Sequence, residues 1–172
     1  MKIIKQGEFY NPTVGKIDFD TVLSEMISYM KEAPNEEYDI VVGCDSSSKE
    51  KPHFPIAIVI LRKGRGGRFF LKKTDYSMLS RKKFGSWKER ILEEVFLSCQ
   101  LAVMMKEELE AAVEKTAFDP DYQFQYIHAD ISKNGITKDM IKEVTALIRG
   151  NGFKAKIKPQ AYAATVIADR FT

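Results

Sequence analysis

The chain has 172 residues, of which 44% are hydrophobic and 30% charged, and its formal net charge is +3. This composition is typical of one globular domain with a sizeable core over residues 1–172, which excludes global disorder, and the small net charge indicates no class of partner. No apolar run is long enough to cross a membrane, and the start of the chain lacks the apolar core of a signal peptide, so we expect a cytoplasmic protein. Cys44 and Cys99 are the only cysteines, so the sequence encodes no local disulfide framework or zinc site.

The N-terminal segment is predicted to be irregular up to residue 15, because Asn11-Pro12 and Gly15 break regular structure. Apolar residues then recur at helical spacing from about Asp18 to Lys31, which predicts an amphipathic helix that Pro34 ends. This helix and its exit are acidic, in contrast to the basic middle of the chain.

The first predicted strand, Tyr38–Cys44, leads directly into a carboxylate, Asp45, which three serines follow. Because strands alternate faces, Asp45 shares a face with Gly43, whose missing side chain should leave room for a ligand beside the carboxylate. Cys44 points to the other face, where we expect it to pack as a small hydrophobe. Asp45 has two interpretations here, since Asp followed by Ser is good turn chemistry and a carboxylate at a strand end can also be a functional group.

The second and third strands are predicted at Phe54–Leu61 and Arg68–Leu71, and the glycines of Gly64–Gly67 favour a hairpin turn between them. Arginine with glycine can also mark an RNA-binding segment, and the two interpretations are compatible. Eleven Lys and Arg lie between residues 61 and 90, against Asp75 and Glu89 as the only acids. This basic middle third suits a polyanion such as nucleic acid, and a solvated charged face would have the same composition.

A long helix is predicted from about Trp87 to Lys115. Ser86 with Glu89 three residues later forms a capping-box pattern, and the apolar run that follows predicts a mostly buried helix. Within it Glu94 lies on the same helical track as core positions, and a buried carboxylate requires a cationic partner or local exposure. Glu93 beside it is the competing candidate for a functional role.

The rest of the chain is predicted to alternate strands and helices. Three hairpin-joined strands followed by two β-α-β crossovers imply an α/β fold with a mixed five-stranded sheet, flanked by helices, plus the extra N-terminal helix. If strands one and four are parallel neighbours, Asp45 and Asp130 lie side by side at their carboxyl ends. The last helix carries Asp169 on an alanine-rich surface that allows close approach to the sheet. The predicted elements are strand four at Gln123–Asp130, a helix at Thr137–Arg149, strand five at Phe153–Lys158 and a final helix at Ala161–Thr172.

Four acids, Asp45, Glu94, Asp130 and Asp169, thus lie on separate elements. Hard cations such as Mg²⁺ or Mn²⁺ take oxygen ligands, and two of them about 4 Å apart can activate a water and stabilise the leaving oxygen of a phosphodiester. The order of elements and acids resembles ribonuclease H, and more closely the YkuK-like bacterial family with a ribonuclease H-like fold. The likeness covers nearly the whole chain after about Gly7, and it rests on Val42–Ser46, the Arg62–Arg68 hairpin, Glu94 ahead of Ser98, His128–Ile131, and Lys156–Pro159 through Ala168–Arg170.

The resemblance implies a ribonuclease H-like fold and, as an expectation, a nuclease-like enzyme that hydrolyses RNA or an RNA-containing duplex by a two-metal mechanism. Asp45 and Asp130 would be the central ligands, with Glu94 and Asp169 completing the two sites. The alternative is a non-catalytic ribonuclease H-like module that binds nucleic acid or serves as a protein scaffold, and the oligomeric state stays open. The expected contacts to nucleic acid are Arg65, Arg68, Arg81, Lys82 and Lys83.

The sequence departs from the ribonuclease H pattern in two places. Ribonucleases H often carry a mobile His near the last helix, whereas this sequence has Lys158 and Gln160 there. His128 lies on the Asp130 face of strand four, where it either supports the site or packs within the sheet. The related proofreading exonucleases carry Asp-x-Glu in the first strand, and the sequence after Asp45 does not supply it, which makes an exonuclease the less favoured activity.

Overall fold

One mixed sheet organises the structure, a computed structural model that describes residues 5, 7–49, 51–74, 79–80 and 83–172. Its strands, numbered along the chain, are β1 (Phe9–Asn11), β2 (Gly15–Ile17), β3 (Tyr38–Cys44), β4 (Ile56–Arg62), β5 (Gly66–Lys72), β6 (Tyr122–His128) and β7 (Lys154–Lys156). Their order in the sheet is β2-β1-β5-β4-β3-β6-β7. Strand β6 is parallel to both β3 and β7, and the other pairs are antiparallel. The mixed α/β fold class is therefore confirmed.

The two longest helices begin where their capping residues predict. Helix α1 (Phe19–Lys31) follows Asp18, whose side chain accepts a backbone hydrogen bond at 2.8 Å. Helix α2 (Trp87–Glu114) follows Ser86, whose hydroxyl accepts a backbone hydrogen bond at 3.4 Å. Within the described residues, no helix combines the length and the apolar character that crossing a bilayer requires.

The last two helical segments are less regular than the sequence indicates. Helix α3 (Ile141–Gly150) is preceded by a 3-10 turn at Lys138–Met140, where a continuous helix is predicted. The C-terminal segment is a wide π-type helix (Ala163–Ala168) followed by a 3-10 turn (Asp169–Phe171), where a single short helix is predicted. Asp169 thus lies at the junction between two kinds of helical winding.

The strand count is the main correction to the predicted fold, because the sheet has seven strands rather than five. The segment up to residue 15 is predicted to be irregular, yet β1 and β2 form a hairpin there, and β1 pairs with β5. The Asn11 side chain makes the turn, since its Oδ1 accepts hydrogen bonds from Thr13 N at 2.8 Å and Val14 N at 3.0 Å. Asn11-Pro12 and Gly15, expected to break regular structure, therefore form the turn of an additional hairpin at the edge of the sheet.

Two cores lie on opposite faces of the sheet. The larger one packs α1, α2 and α3 against the even-numbered side chains of β3 and β4, and it includes Cys44, which is buried as predicted. The smaller one packs Ala163 and Ala168 of the C-terminal segment against Val41 and Val59 on the other face. The helices and the C-terminal segment therefore cover opposite faces and both reach the edge where β3 ends.

Gly43 does not leave room for a ligand, contrary to the expectation from the sequence. A Cβ atom at this position would lie 2.6 Å from Ala164 N and 3.0 Å from the carbonyl carbon of Ala163. The backbone of the C-terminal segment fills the space, so the role of Gly43 is to let that segment approach the sheet.

Candidate functional site

Two carboxylates meet at the carboxyl edge of the sheet, as the sequence predicts. Strands β3 and β6 are parallel, and Gly43 pairs with His128. Asp45 and Asp130 each follow two residues later and therefore lie side by side just beyond the strand ends. Asp45 N donates a hydrogen bond to Pro55 O at 3.3 Å, which holds the exit of β3 against the start of β4.

The surroundings of Asp45 strongly shift its pKa. The pKa of Asp45 is raised to about 7. Burial is the largest cause, and the charges of Asp130 and Asp169 with a hydrogen bond to the Asp169 carboxyl act in the same direction, against a backbone hydrogen bond from Ser46 that lowers it. Burial and the neighbouring carboxylates therefore make full ionisation of this group unfavourable near neutral pH.

Glu94 reaches the same edge from α2. The Ser46 hydroxyl donates a hydrogen bond to Glu94 Oε1 at 2.5 Å, which links the helix to the residue after Asp45. Burial raises the pKa of Glu94 well above its usual range, and the charges of Asp45 and Asp130 act in the same direction, while the Ser46 hydrogen bond and Arg90 oppose the shift. Glu94 is thus part of the acidic edge.

Glu93, the competing candidate, points elsewhere. It is buried, and its carboxylate accepts hydrogen bonds from Ser80 N at 2.6 Å and from the Ser80 hydroxyl. These contacts hold the segment before α2 against the helix. The structure therefore places Glu94, and not Glu93, beside Asp45.

Asp130 has a cationic partner that the sequence did not suggest. Lys158 Nζ lies 2.6 Å from Asp130 Oδ1, and the side chains are 47% and 21% exposed. The hydrogen bond to Asp130 raises the pKa of Lys158, and the charges of Asp130, Asp45 and Asp169 add to the shift. Lys158 thus stands where the ribonuclease H resemblance would place a histidine.

The C-terminal segment brings Asp169 to the edge from the opposite face to α2. His128 holds this segment, since its Nδ1 accepts a hydrogen bond from Ala163 N at 3.1 Å and its ring meets the Tyr162 ring edge-on at 4.5 Å. Burial lowers the pKa of His128 to about 3, and the charge of Lys156 contributes. His128 is therefore a neutral packed side chain, as one of the two interpretations of the sequence predicts, and it contacts the segment that carries Asp169.

A cleft of about 230 Å³ opens over the acids. Trp87 and Arg90 at the start of α2 form one wall, and they also line an adjoining hollow of about 310 Å³. Arg90 is held by a hydrogen bond from its Nη1 to Ser47 O at 2.8 Å. The first cleft is lined by Asp45, Ser46, Trp87, Arg90, Ile91, Glu94, Asp130, Ile136, Thr137 and Lys158.

The donor set at this edge suits a hard divalent cation, because it consists of carboxylates whose mutual repulsion a cation would relieve. In their present conformations, however, no three His, Cys, Asp or Glu side chains of the described residues are close enough together to hold a metal ion. Asp130 is bound to Lys158 and Glu94 to Ser46, while Asp45 and Asp169 are bound to each other. The four acids therefore make three side-chain contacts instead of forming a ready-made ligand cage, and within the described residues Asp130 Oδ1 has an ion pair but no hydrogen bond of good geometry.

The basic residues expected to contact nucleic acid lie in different places. Arg65 and Arg68 belong to the β4–β5 hairpin, which lies at the Tyr38 end of β3 and hence roughly 20 Å from Asp45. Arg68 forms ion pairs with Glu25 of α1 at 3.1 Å and with Glu32, which directly follows α1, at 2.6 Å. Arg65 pairs with Glu36 at 3.5 Å. Lys83 is exposed shortly before α2, and Arg81 and Lys82 lie outside the described residues.

Comparisons with known proteins identify the family to which the chain belongs. A family model described as Ribonuclease H-like matches residues 21–172, so the chain belongs to the ribonuclease H-like family. The chain is also 29% identical, over 170 residues, to the Bacillus subtilis (strain 168) protein named Uncharacterized protein YkuK, and the match covers 95% of this chain and 96% of that protein. No solved structure matches the chain. The resemblance to a YkuK-like family with a ribonuclease H-like fold is therefore confirmed.

Sequence reasoning missed the residues that hold the acids in place. Ser46 directly follows Asp45, but a serine after an aspartate is ordinary turn chemistry and gave no signal of a contact to α2. Lys158 follows β7, which is parallel to β6, so the meeting of parallel strand ends at one edge could have placed it beside Asp130. Its proximity was predictable from topology, whereas its ion pair was not.

Proposed function

We propose that the protein is a divalent-metal-dependent nuclease that hydrolyses phosphodiester bonds in RNA or an RNA-containing duplex. The observation that carries the proposal is the convergence of carboxylates from β3, β6, α2 and the C-terminal segment at one edge, where the pKa of Asp45 is raised to about 7. The neighbouring carboxylates are one cause of that shift besides burial, and a cation site needs them whereas a structural turn does not.

Asp45 and Asp130 are the proposed central ligands for Mg²⁺ or Mn²⁺, with Glu94 and Asp169 as further ligands. A bound divalent cation would activate a water and neutralise charge on the scissile phosphate. Ser46 would orient Glu94 through its 2.5 Å hydrogen bond, and His128 would keep Asp169 in reach of Asp45 by holding the C-terminal segment. The ribonuclease H-like fold supplies these positions from opposite faces of the sheet.

Nucleic acid is the proposed substrate because the rim of the acidic cleft carries cations and an aromatic ring. Lys49, Lys83 and Lys88 are exposed around the start of α2, and Trp87 and Arg90 line the cleft itself. Cations contact phosphates, and an aromatic side chain can stack on an unpaired base. Of the contacts expected from the sequence, Lys83 lies near this rim, whereas Arg65 and Arg68 lie at the far end of β3.

The decisive experiment is a cleavage assay with a panel of RNA, RNA/DNA hybrid and DNA substrates in EDTA, Mg²⁺ and Mn²⁺. We expect metal-dependent cleavage of an RNA-containing substrate by the wild-type protein, and its loss in Asp45→Asn and Asp130→Asn. Asp119→Asn is the matched control, because it removes the same charge from an exposed loop outside the site. Equal residual cleavage in all four proteins would indicate a contaminating nuclease and refute the proposal.

The second candidate is a ribonuclease H-like module that binds nucleic acid, or scaffolds a protein partner, without cleaving. The specific observation that favours it is that Lys158 and Ser46 already contact two of the acids, while no three candidate ligands of the described residues surround a common point. Binding of an RNA substrate that neither metal nor Asp45→Asn affects would select this candidate.

A further inference from the structure

We propose that the Lys158 ammonium is a built-in cation of the acidic edge, which occupies one of the two cation positions expected for this site, so that the site binds a single divalent ion. This inference rests on the proposed metal-dependent function. It assigns Lys158 the role of a positioning residue that acts through Asp130.

The fold fixes where Lys158 lies. Strand β7 is parallel to β6, and two backbone hydrogen bonds join the ends of these strands, from Ala129 N to Lys156 O and from Lys158 N to Ile131 O, both at 2.9 Å. Lys158 is thereby anchored beside the loop that carries Asp130. This backbone position brings the ammonium group within reach of the acids.

The contact itself is a short ion pair. Lys158 Nζ lies 2.6 Å from Asp130 Oδ1, and the charges of Asp45 and Asp169 also act on the ammonium. Lys158 is thus close to three of the four acids, and it lines the cleft together with Asp45 and Asp130. In the ribonuclease H resemblance this part of the chain would carry a mobile histidine, and a permanent cation here has different consequences.

Geometry limits what else can bind to the same oxygen. A Mg²⁺ ion lies about 2.1 Å from a carboxylate ligand, and the ammonium nitrogen lies 2.6 Å from Asp130 Oδ1. An ion that approached Oδ1 from the side of the ammonium would therefore overlap it. The two-cation arrangement expected from the sequence therefore becomes one divalent ion on the side of Asp45 and Asp169, with Lys158 on the side of Asp130.

The test is a count of bound ions. Metal-stripped protein is titrated with Mn²⁺, and free Mn²⁺ is followed by electron paramagnetic resonance, which requires no substrate. We expect one equivalent for the wild-type protein and for Lys158→Arg, which keeps the positive charge, and two equivalents for Lys158→Met. Lys154→Met is the matched control, because Lys154 belongs to the strand that precedes Lys158 and contacts Gln125 and Tyr126 instead of the acids, and this variant should bind one equivalent.

The wild-type count stands even if Lys158→Met fails to fold, which circular dichroism would reveal. Two equivalents in the wild-type protein, or one equivalent of unchanged affinity in a folded Lys158→Met, would overturn the inference and leave the proposed nuclease intact. The absence of Mn²⁺ binding by every variant at millimolar concentration would refute both the inference and the metal-dependent function. A gain of one equivalent confined to Lys158→Met would support the built-in cation.

Discussion

The substitution Asp45→Asn should stabilise the metal-free protein, although it alters a partly buried residue at the heart of the site. The pKa of Asp45 is raised from 3.8 to about 7, mainly by burial and by the neighbouring acids. A folded-state pKa above the unfolded value means that ionisation of this group favours unfolding. An amide of nearly the same shape cannot ionise, so the variant escapes this effect.

The magnitude follows from the linkage between protonation and folding. Each pKa unit corresponds to about 1.4 kcal/mol, so the upper limit is about 4 kcal/mol. Because Asp45 is only partly buried, solvent screening reduces this figure, and we expect the variant to gain about 2 kcal/mol. The sign fixes the pH range, since the gain is absent below about pH 4, grows as the pH rises, and is complete above about pH 7.

Urea unfolding in EDTA, from about pH 4 to about pH 8.5, measures the gain as a difference between variant and wild type. His128 has a pKa lowered to about 3 and therefore destabilises the native state on acidification, but it is present in both proteins and cancels. Asp119→Asn is the matched control and should show no pH-dependent gain. The same series with Mg²⁺ at about a hundred times its dissociation constant should stabilise the wild type by about 2.7 kcal/mol and the variant by much less.

A difference that does not vary with pH would refute the electrostatic argument. If Asp45→Asn also destabilised the metal-free protein, while Mg²⁺ protected both proteins equally, Asp45 would be a structural turn residue. The nuclease proposal would then fail at its first ligand. The stability series is therefore informative even before a substrate has been found.

Three further outcomes are expected. Neutralising the Arg81–Lys83 cluster should weaken RNA binding and make the slope of log affinity against log salt shallower by about 2, because fewer phosphate contacts form and fewer counterions are released on binding. Neutralising the hairpin arginines should leave the slope unchanged. Gly43→Ala should lower the free energy of unfolding by about 1–3 kcal/mol or more, since its Cβ would lie 2.6 Å from a backbone nitrogen, and Gly150→Ala, which meets nothing within 4 Å, should not. The His128 side-chain resonances should not titrate between about pH 5 and about pH 8, because burial lowers its pKa to about 3; a midpoint in that interval would contradict its packed role.

Local patterns were sufficient to predict the central part of the fold. Strand β3 has the predicted bounds, because an apolar run that ends in a polar turn has a clear signal. The caps at Asp18 and Ser86 likewise set the helix starts through local hydrogen bonds. By contrast, β1 and β2 have three residues each, which is too short for periodicity, and they become strands only through pairing with each other and with β5.

In the site, too, some features follow from the sequence pattern and others depend on contacts between distant segments. Topology alone predicts that Asp45 and Asp130 meet, since parallel strand ends share an edge. The C-terminal segment fills the space beside Gly43, and the sequence pattern does not show how closely that segment packs against the sheet. The partners of the acids, Ser46 and Lys158, are likewise side-chain contacts between elements far apart in the chain.

The charge at the acidic edge bears on the choice between enzyme and scaffold. A scaffold that used Asp45 only to start a turn would be served by Asn, which has the same turn chemistry and avoids a destabilisation of about 2 kcal/mol at neutral pH. Asp45 instead lies where burial and the charges of Asp130 and Asp169 raise its pKa, and Lys158 offsets only part of that charge because its close contact is with Asp130. The negative charge that Lys158 does not offset lies between β3 and the C-terminal segment. A divalent cation there would convert a destabilising cluster into a stabilising one, and that dependence on metal separates an enzyme site from a structural cluster.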